Sequence, residues 1–286
     1  MIKGYLYILS AAILWGFIGI FSSLTFQEGL SPMEVAFWRA LLGWFCFGAQ
    51  AIVRQQTRVE VKDLPLLALF AVFGIALFYV SYLYAVQSGG VAFAAVLLYT
   101  APAWVVLFSV IIYRERLSWV KGAAVILVMA GVYLISQKGG SDGIDISLLA
   151  LIAGLTSGFC YSLYYTVGKY FSEKYSSANM FLYVLPVGAL GVLPFVEFVH
   201  KTPLAWAGLA GVAIVSTFMA NYCYYNGLKY LEAGRASIVA TLEPVVAAIT
   251  AYLIFGEYFA PVGYLGVILI LGAVIATVTE KPKAES

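Results

Sequence analysis

The chain has 286 residues, of which 63% are hydrophobic, 16% aromatic and only 10% charged, with a net charge of +2 and a mean hydropathy of +0.95. Soluble domains carry about 25% charged residues, so this composition excludes a water-soluble fold and points to an all-α polytopic membrane protein. The small net charge excludes a nucleic-acid partner, and Cys46, Cys160 and Cys223 match neither a zinc pattern nor a disulfide framework.

A bilayer crossing takes about 20 mostly apolar residues, and the hydropathy pattern predicts ten such helices. The first covers 4–24, contains Trp15, Gly16 and Gly19, and has no small-residue cleavage site, so it is expected to stay as a membrane helix. The second, 32–53, opens on Ser31-Pro32 and holds Arg39, the one basic residue deep inside a predicted span rather than within a few residues of its end. The third and fourth, 64–86 and 90–112, bring Tyr79, Tyr82, Tyr99 and, mid-span, Pro102. Arg114, Glu115 and Arg116 follow, then a fifth helix at 118–136 and a polar, Gly-rich loop at 137–146.

The sixth helix, 147–169, carries Gly154-x-x-x-Gly158, a spacing that lets helix backbones approach closely. The seventh and eighth, 177–198 and 203–226, flank Thr202-Pro203, and the eighth contributes Asn221 and Tyr224. The ninth, 234–255, carries Glu243-Pro244, and Glu257 precedes the tenth at 261–278.

Pro102 and Pro244, like Glu115 and Glu257, are separated by 142 residues. Gly16-Phe17 with Gly158-Phe159, Tyr82 with Tyr224, and Val125-Ile126-Leu127 with Val267-Ile268-Leu269 keep that register. The chain therefore reads as two repeats, 1–142 and 143–286, of five helices each. An odd number inverts the second copy, a plan that places transport sites near the bilayer midplane. Thirteen Lys and Arg fall on the side of the termini and two, Lys138 and Lys201, on the other, which predicts cytoplasmic termini.

A mid-span proline breaks a backbone hydrogen bond, and broken helices are tolerated where they face protein or a wet cavity. Pro102 and Pro244 thus predict a shared central site. Glu243 lies at a depth where a charge is unfavourable by at least ~2.5 kcal/mol, and Arg39 lies at a similar depth. Glu243 is the candidate for proton coupling or for binding a substrate amine, with Arg39 its partner or a carboxylate anchor. A static ion pair that orders the bundle is the competing reading. Trp15, Tyr79, Tyr82, Tyr99 and Tyr224 are candidates to line the cavity, with the amides of Asn221 and Gln87, because a buried Tyr hydroxyl or Trp N–H needs a partner. Glu115 and Glu257 suit the positive ends of the helices that follow them.

The run Leu242-Glu243-Pro244-Val245-Val246 followed by Leu253-Ile254-Phe255-Gly256-Glu257 resembles the EamA repeat of the drug/metabolite transporter superfamily. Tyr99-Thr100-Ala101-Pro102 followed by Tyr113-Arg114-Glu115-Arg116-Leu117 resembles it too, as do Trp15-Gly16 and Arg39. The resemblance covers nearly the whole chain. It implies ten helices, a central substrate cavity, a place in the cell (inner) membrane, and transport of small metabolites, typically amino acids or related compounds and often outward; no cofactor is expected. One departure is that Ala101 stands where the second half has Glu243, so any coupling is asymmetric.

The leading expectation is a secondary carrier, an exporter of amino acids or similar metabolites working by alternating access, as a monomer or homodimer. A multidrug or nucleobase carrier of the same fold is the alternative. No G-x-x-x-x-G-K-[ST] loop points to ATP drive, and no H-E-x-x-H or paired-carboxylate motif points to an intramembrane enzyme. The sole histidine, His200, lies in a short outer loop, and no charge ring suggests a channel.

Overall fold

The computed structural model of the chain describes residues 2–115, 117–135, 147–255 and 261–280. Its helices are α1 Ile2–Gln27, α2 Pro32–Val53, α3 Val61–Val86, α4 Phe93–Tyr113, α5 Trp119–Ile135, α6 Leu148–Ser172, α7 Ser177–Phe195, α8 Pro203–Leu228, α9 Ala233–Ile254 and α10 Pro261–Thr279. Among the described residues, nine are long and apolar enough to cross a membrane, and α5 is a shorter apolar helix. The two starts expected from hydroxyl-proline pairs hold. Ser31 Oγ accepts from the Glu34 N–H at 3.1 Å, and Thr202 Oγ1 from the Ala205 N–H at 3.1 Å. The expected repeat boundary at 142/143, Gln87 as a side chain, and Glu257 lie outside what is described.

Several expected boundaries change. α1 is interrupted at Phe17, between segments Ile2–Gly16 and Ile18–Gln27. Helical hydrogen bonding runs unbroken from Phe78 to Leu98, through the turn expected at 87–89. Phe78 stacks on Tyr161 and Leu97 abuts Gly154, so both ends of that segment pack on α6.

The two halves pack by exchange. α1 lies on α8 and α9, and its counterpart α6 lies on α3 and α4. α2 meets α8 as α7 meets α3, while α2–α7, α4–α9 and α5–α10 pair each helix with its own counterpart. Those last three pairs are antiparallel. Gly48 faces Leu182 while Gly43 faces Leu185, Glu115 beyond α4 meets the start of α9 at Ala233, and Gly131 late in α5 meets Gly266 early in α10.

Irregular backbone recurs at the same register. Helix stops at Leu98 and restarts at Ala101 in α4; it stops at Ala240 and restarts at Glu243 in α9. Pro102 and Pro244 thus occupy the second position of a new helical segment, where a missing N–H is harmless. They begin segments rather than kink continuous rods. Gly158 and Gly16 sit against these two breaks: a Cβ at Gly158 would strike the Leu97 carbonyl at 2.5 Å, and one at Gly16 would strike Val246 at 2.6 Å. Both halves also carry a π-helical stretch, Ala71–Leu77 in α3 and Gly211–Met219 in α8. The Gly154/Gly158 pair serves the contact with α4 inside the chain.

Candidate functional site

α2 of the first half and α9 of the second bring Arg39 and Glu243 to one region beside the α4 and α9 breaks. Arg39 Nε donates to Thr217 Oγ1 at 2.7 Å, and its guanidinium carbon lies 6.0 Å from the Tyr79 ring centroid. Thr217 belongs to the π-helical stretch of α8, and its hydroxyl donates in turn to the Val212 carbonyl, five residues back, at 2.9 Å. π-helical turns concentrate at functional positions because they widen the helix and re-aim side chains. Here the wide turn presents a hydroxyl to Arg39. Sequence reasoning missed Thr217, since π-helix has no periodicity that a hydropathy pattern reveals.

Among the described residues, only Nε of the Arg39 guanidinium has a hydrogen-bond partner. The Arg39 side chain as a whole is partly buried. Glu243 is likewise only partly buried. Its Oε2 accepts from Tyr161 at 3.4 Å, and Tyr99 is a second hydroxyl beside the carboxylate. Arg39 and Glu243 are electrostatic neighbours without a contact ion pair.

The surround is aromatic. Phe78 stacks on Tyr161 at 5.5 Å and lies 6.1 Å from Tyr82, while Tyr79 and Tyr82 are partly accessible. Gly19, the repeat counterpart of Tyr161, is exposed with nothing within 4 Å of its Cβ position. Toward the chain termini the bundle is closed. Trp15, Tyr164, Tyr165, Tyr224 and Tyr225 are 5%, 8%, 3%, 0% and 1% exposed. Tyr224 donates to the Tyr164 carbonyl at 2.8 Å and packs on Trp15 and Tyr165. Trp15 and Tyr224 therefore form a floor beneath the accessible groups. Asn221 is also buried, donating to the Thr217 carbonyl at 2.8 Å one turn from the hydroxyl that holds Arg39. Tyr161, Tyr164 and Tyr165 join the site although the sequence did not single them out. Their repeat counterparts, Gly19, Ser22 and Ser23, are not aromatic, so the internal repeat gave no signal.

Glu115 has a different partner from the one its position suggested. Rather than capping the helix that follows it, its Oε1 accepts from the Ala233 N–H at 3.1 Å, at the start of α9 in the other half. Lys121 Nζ lies 3.3 Å from Glu115 and 2.6 Å from Glu232. Glu232 also meets Arg235, which reaches Glu280 at 2.9 Å, the Thr277 carbonyl at 3.1 Å and the Tyr5 hydroxyl at 3.3 Å. Tyr5 is buried in this network. The positions equivalent to Lys121, Glu232 and Arg235 are Gly263, Gly90 and Phe93, so no copy of the network is encoded at the other mouth.

The EamA-like transporter family matches residues 2–137 and 148–279. An uncharacterized transporter of Archaeoglobus fulgidus is 30% identical over 273 residues, covering 94% of this chain and 93% of the relative. The uncharacterized inner membrane transporter YicL of Salmonella typhimurium is 26% identical over 286 residues, covering 96% and 94%. A crystal structure with 19% sequence identity superposes with a TM-score of 0.83 over 96% of both chains, which shows the shared fold. The two matched repeats, the helical architecture and these relatives agree: the chain belongs to the EamA-like transporter family, within the drug/metabolite transporter superfamily.

Proposed function

We propose that the protein is a secondary carrier that exports amino acids or similar small zwitterionic metabolites by alternating access. The observation that carries this reading is the placement of Arg39 and Glu243. They come from opposite halves, face one accessible region, and are not joined to each other. A guanidinium with two free N–H edges suits a carboxylate, and a carboxylate beside two Tyr hydroxyls suits an ammonium group. The aromatic wall suits an apolar or planar side chain, which also keeps nucleobases and apolar drugs among the cargoes to test.

The antiparallel packing of corresponding helices supports two halves inverted across the membrane plane, exchanging which mouth is closed. On this reading the sealed tyrosine floor and the ionic network close the mouth on the termini side. Excess Lys and Arg on that side support cytoplasmic termini in an inner membrane. Glu243 is the group that takes up a proton when the pocket empties, making it the coupling residue.

Proteoliposome counterflow with labelled amino acids, nucleobases and apolar amines, with and without a pH gradient, tests the reading. A zwitterion should show saturable exchange. Arg39→Lys, which keeps charge but loses the fork, should lower transport at least about tenfold, the effect of ~1.4 kcal/mol. Glu243→Gln should remove stimulation by the gradient while exchange persists. Full gradient-driven transport by Glu243→Gln would exclude the coupling role.

A further inference from the structure

A cavity of about 100 Å³ lies far from Arg39 and Glu243, among the termini-side ends of α2 and α8 and the start of α7. Arg54, Lys229, Gln50, Tyr222, Ser176 and Ser177 are among its lining, which includes no acidic residue. Most cations near the helix ends are paired: Lys62 with Glu60, Lys169 with Glu173, Lys174 with Asp63, Lys201 with Glu34, and Lys121 and Arg235 within their network. Among the described residues, Arg54 and Lys229 have no such partner, nor do Lys3, Arg58 and Arg114, but only Arg54 and Lys229 line this cavity. Arg54 rests only against the Tyr222 ring, 5.9 Å from its centroid. Gln50 Oε1 is sealed inside the protein without a hydrogen-bond partner. An amide so placed can turn over and offer its NH2 instead.

A cavity that gathers two positive charges and a spare amide, and contains no negative charge, calls for an anion. Its volume fits one tetrahedral oxyanion. The ends of α2 and α8 lie at headgroup depth, where basic pockets between membrane helices hold anionic lipid headgroups. We propose that this cavity binds a phosphate group supplied by an anionic lipid of the cytoplasmic leaflet. The headgroup ties the end of α2 to the end of α8, the two helices that carry Arg39 and Thr217 at their midpoints. Arg54 is fifteen residues along α2 from Arg39, about 22 Å. Only the assignment to the cytoplasmic leaflet rests on the orientation proposed above; the binding itself does not depend on the transport reading.

Purified full-length protein in a neutral detergent, melted with and without short-chain phosphatidylglycerol, phosphatidylcholine or sodium phosphate, tests the site. Phosphatidylglycerol should raise the melting temperature by ~3 °C, and phosphatidylcholine should not. Arg54→Gln/Lys229→Gln should abolish the rise. Lys62→Gln/Lys174→Gln, with the same loss of charge elsewhere, should keep it. Equal stabilisation by sodium phosphate alone would keep the phosphate site and overturn the lipid as its source. An unchanged rise in the Arg54/Lys229 variant, or its loss in the Lys62/Lys174 control, would overturn the site. So would a wild-type protein that responds to none of the three. Because the assay involves no transport, its failure leaves the carrier reading untouched, and a failed counterflow experiment leaves this site untouched.

Discussion

Arg39 owes its orientation to a single hydroxyl. Thr217 accepts from Nε while giving its own proton to Val212, so both its hydrogen-bonding roles are fixed and the guanidinium fork is left facing the accessible region. Hydrogen bonds to charged groups contribute about 1.5–3 kcal/mol. Thr217→Val, which keeps the shape and removes the acceptor, should weaken substrate affinity in proteoliposomes by at least about tenfold, and Thr217→Ser should restore most of it. An unchanged KM in Thr217→Val would show that Arg39 is aimed by its packing alone. The sequence made Arg39 and Glu243 legible because a charge inside an apolar span is anomalous by itself. Thr217 and Tyr161 are ordinary membrane-helix residues, and only their spatial relation to those charges marks them.

At the level of helices, the network around Lys121 joins α5 to α9 and α10 across the repeat boundary, with the Lys121 and Glu115 side chains 4% and 8% exposed. Removing one member of a buried ion pair strands its partner, at a loss of about 3–5 kcal/mol. Lys121→Met should therefore lower the melting temperature of the detergent-purified protein markedly. It should also speed labelling of an engineered Ser237→Cys, a buried position on α9, by a thiol reagent applied from the termini side, in a background without Cys46, Cys160 and Cys223. Labelling at the wild-type rate would make the network a structural clasp with no part in opening that mouth. The helices themselves were readable from hydropathy and capping residues. Their interruptions were readable only in part: the prolines marked the α4 and α9 breaks, while the π-helical stretches and the break at Phe17 contain no proline and left no trace. Glu115 could not be matched with Ala233 from sequence, because that contact joins residues 118 positions apart.

For the whole molecule, the two-part architecture was legible in the repeat offset, since prolines, glycines and acids recur at one spacing. What it could not announce was the exchange of partners, in which each first helix packs on the other half's third and fourth. Orientation remains a matter of charge. A reporter fused to the C-terminus that is active only in the cytoplasm should be fully active, and one that is active only outside the cell should be silent. The reverse outcome would overturn the assignment of every loop and move the Arg54 cavity to the outer leaflet.

The duplicated frame carries unduplicated chemistry. At the position matching Arg39 the second half has Phe181, and at the position matching Glu243 the first half has Ala101. Two copies of the first half, assembled as twins, would set guanidinium against guanidinium; two copies of the second would oppose carboxylates. Either symmetric assembly would place like charges at both positions, so the opposite charges on which the proposed carrier reading rests exist only because the two halves differ there.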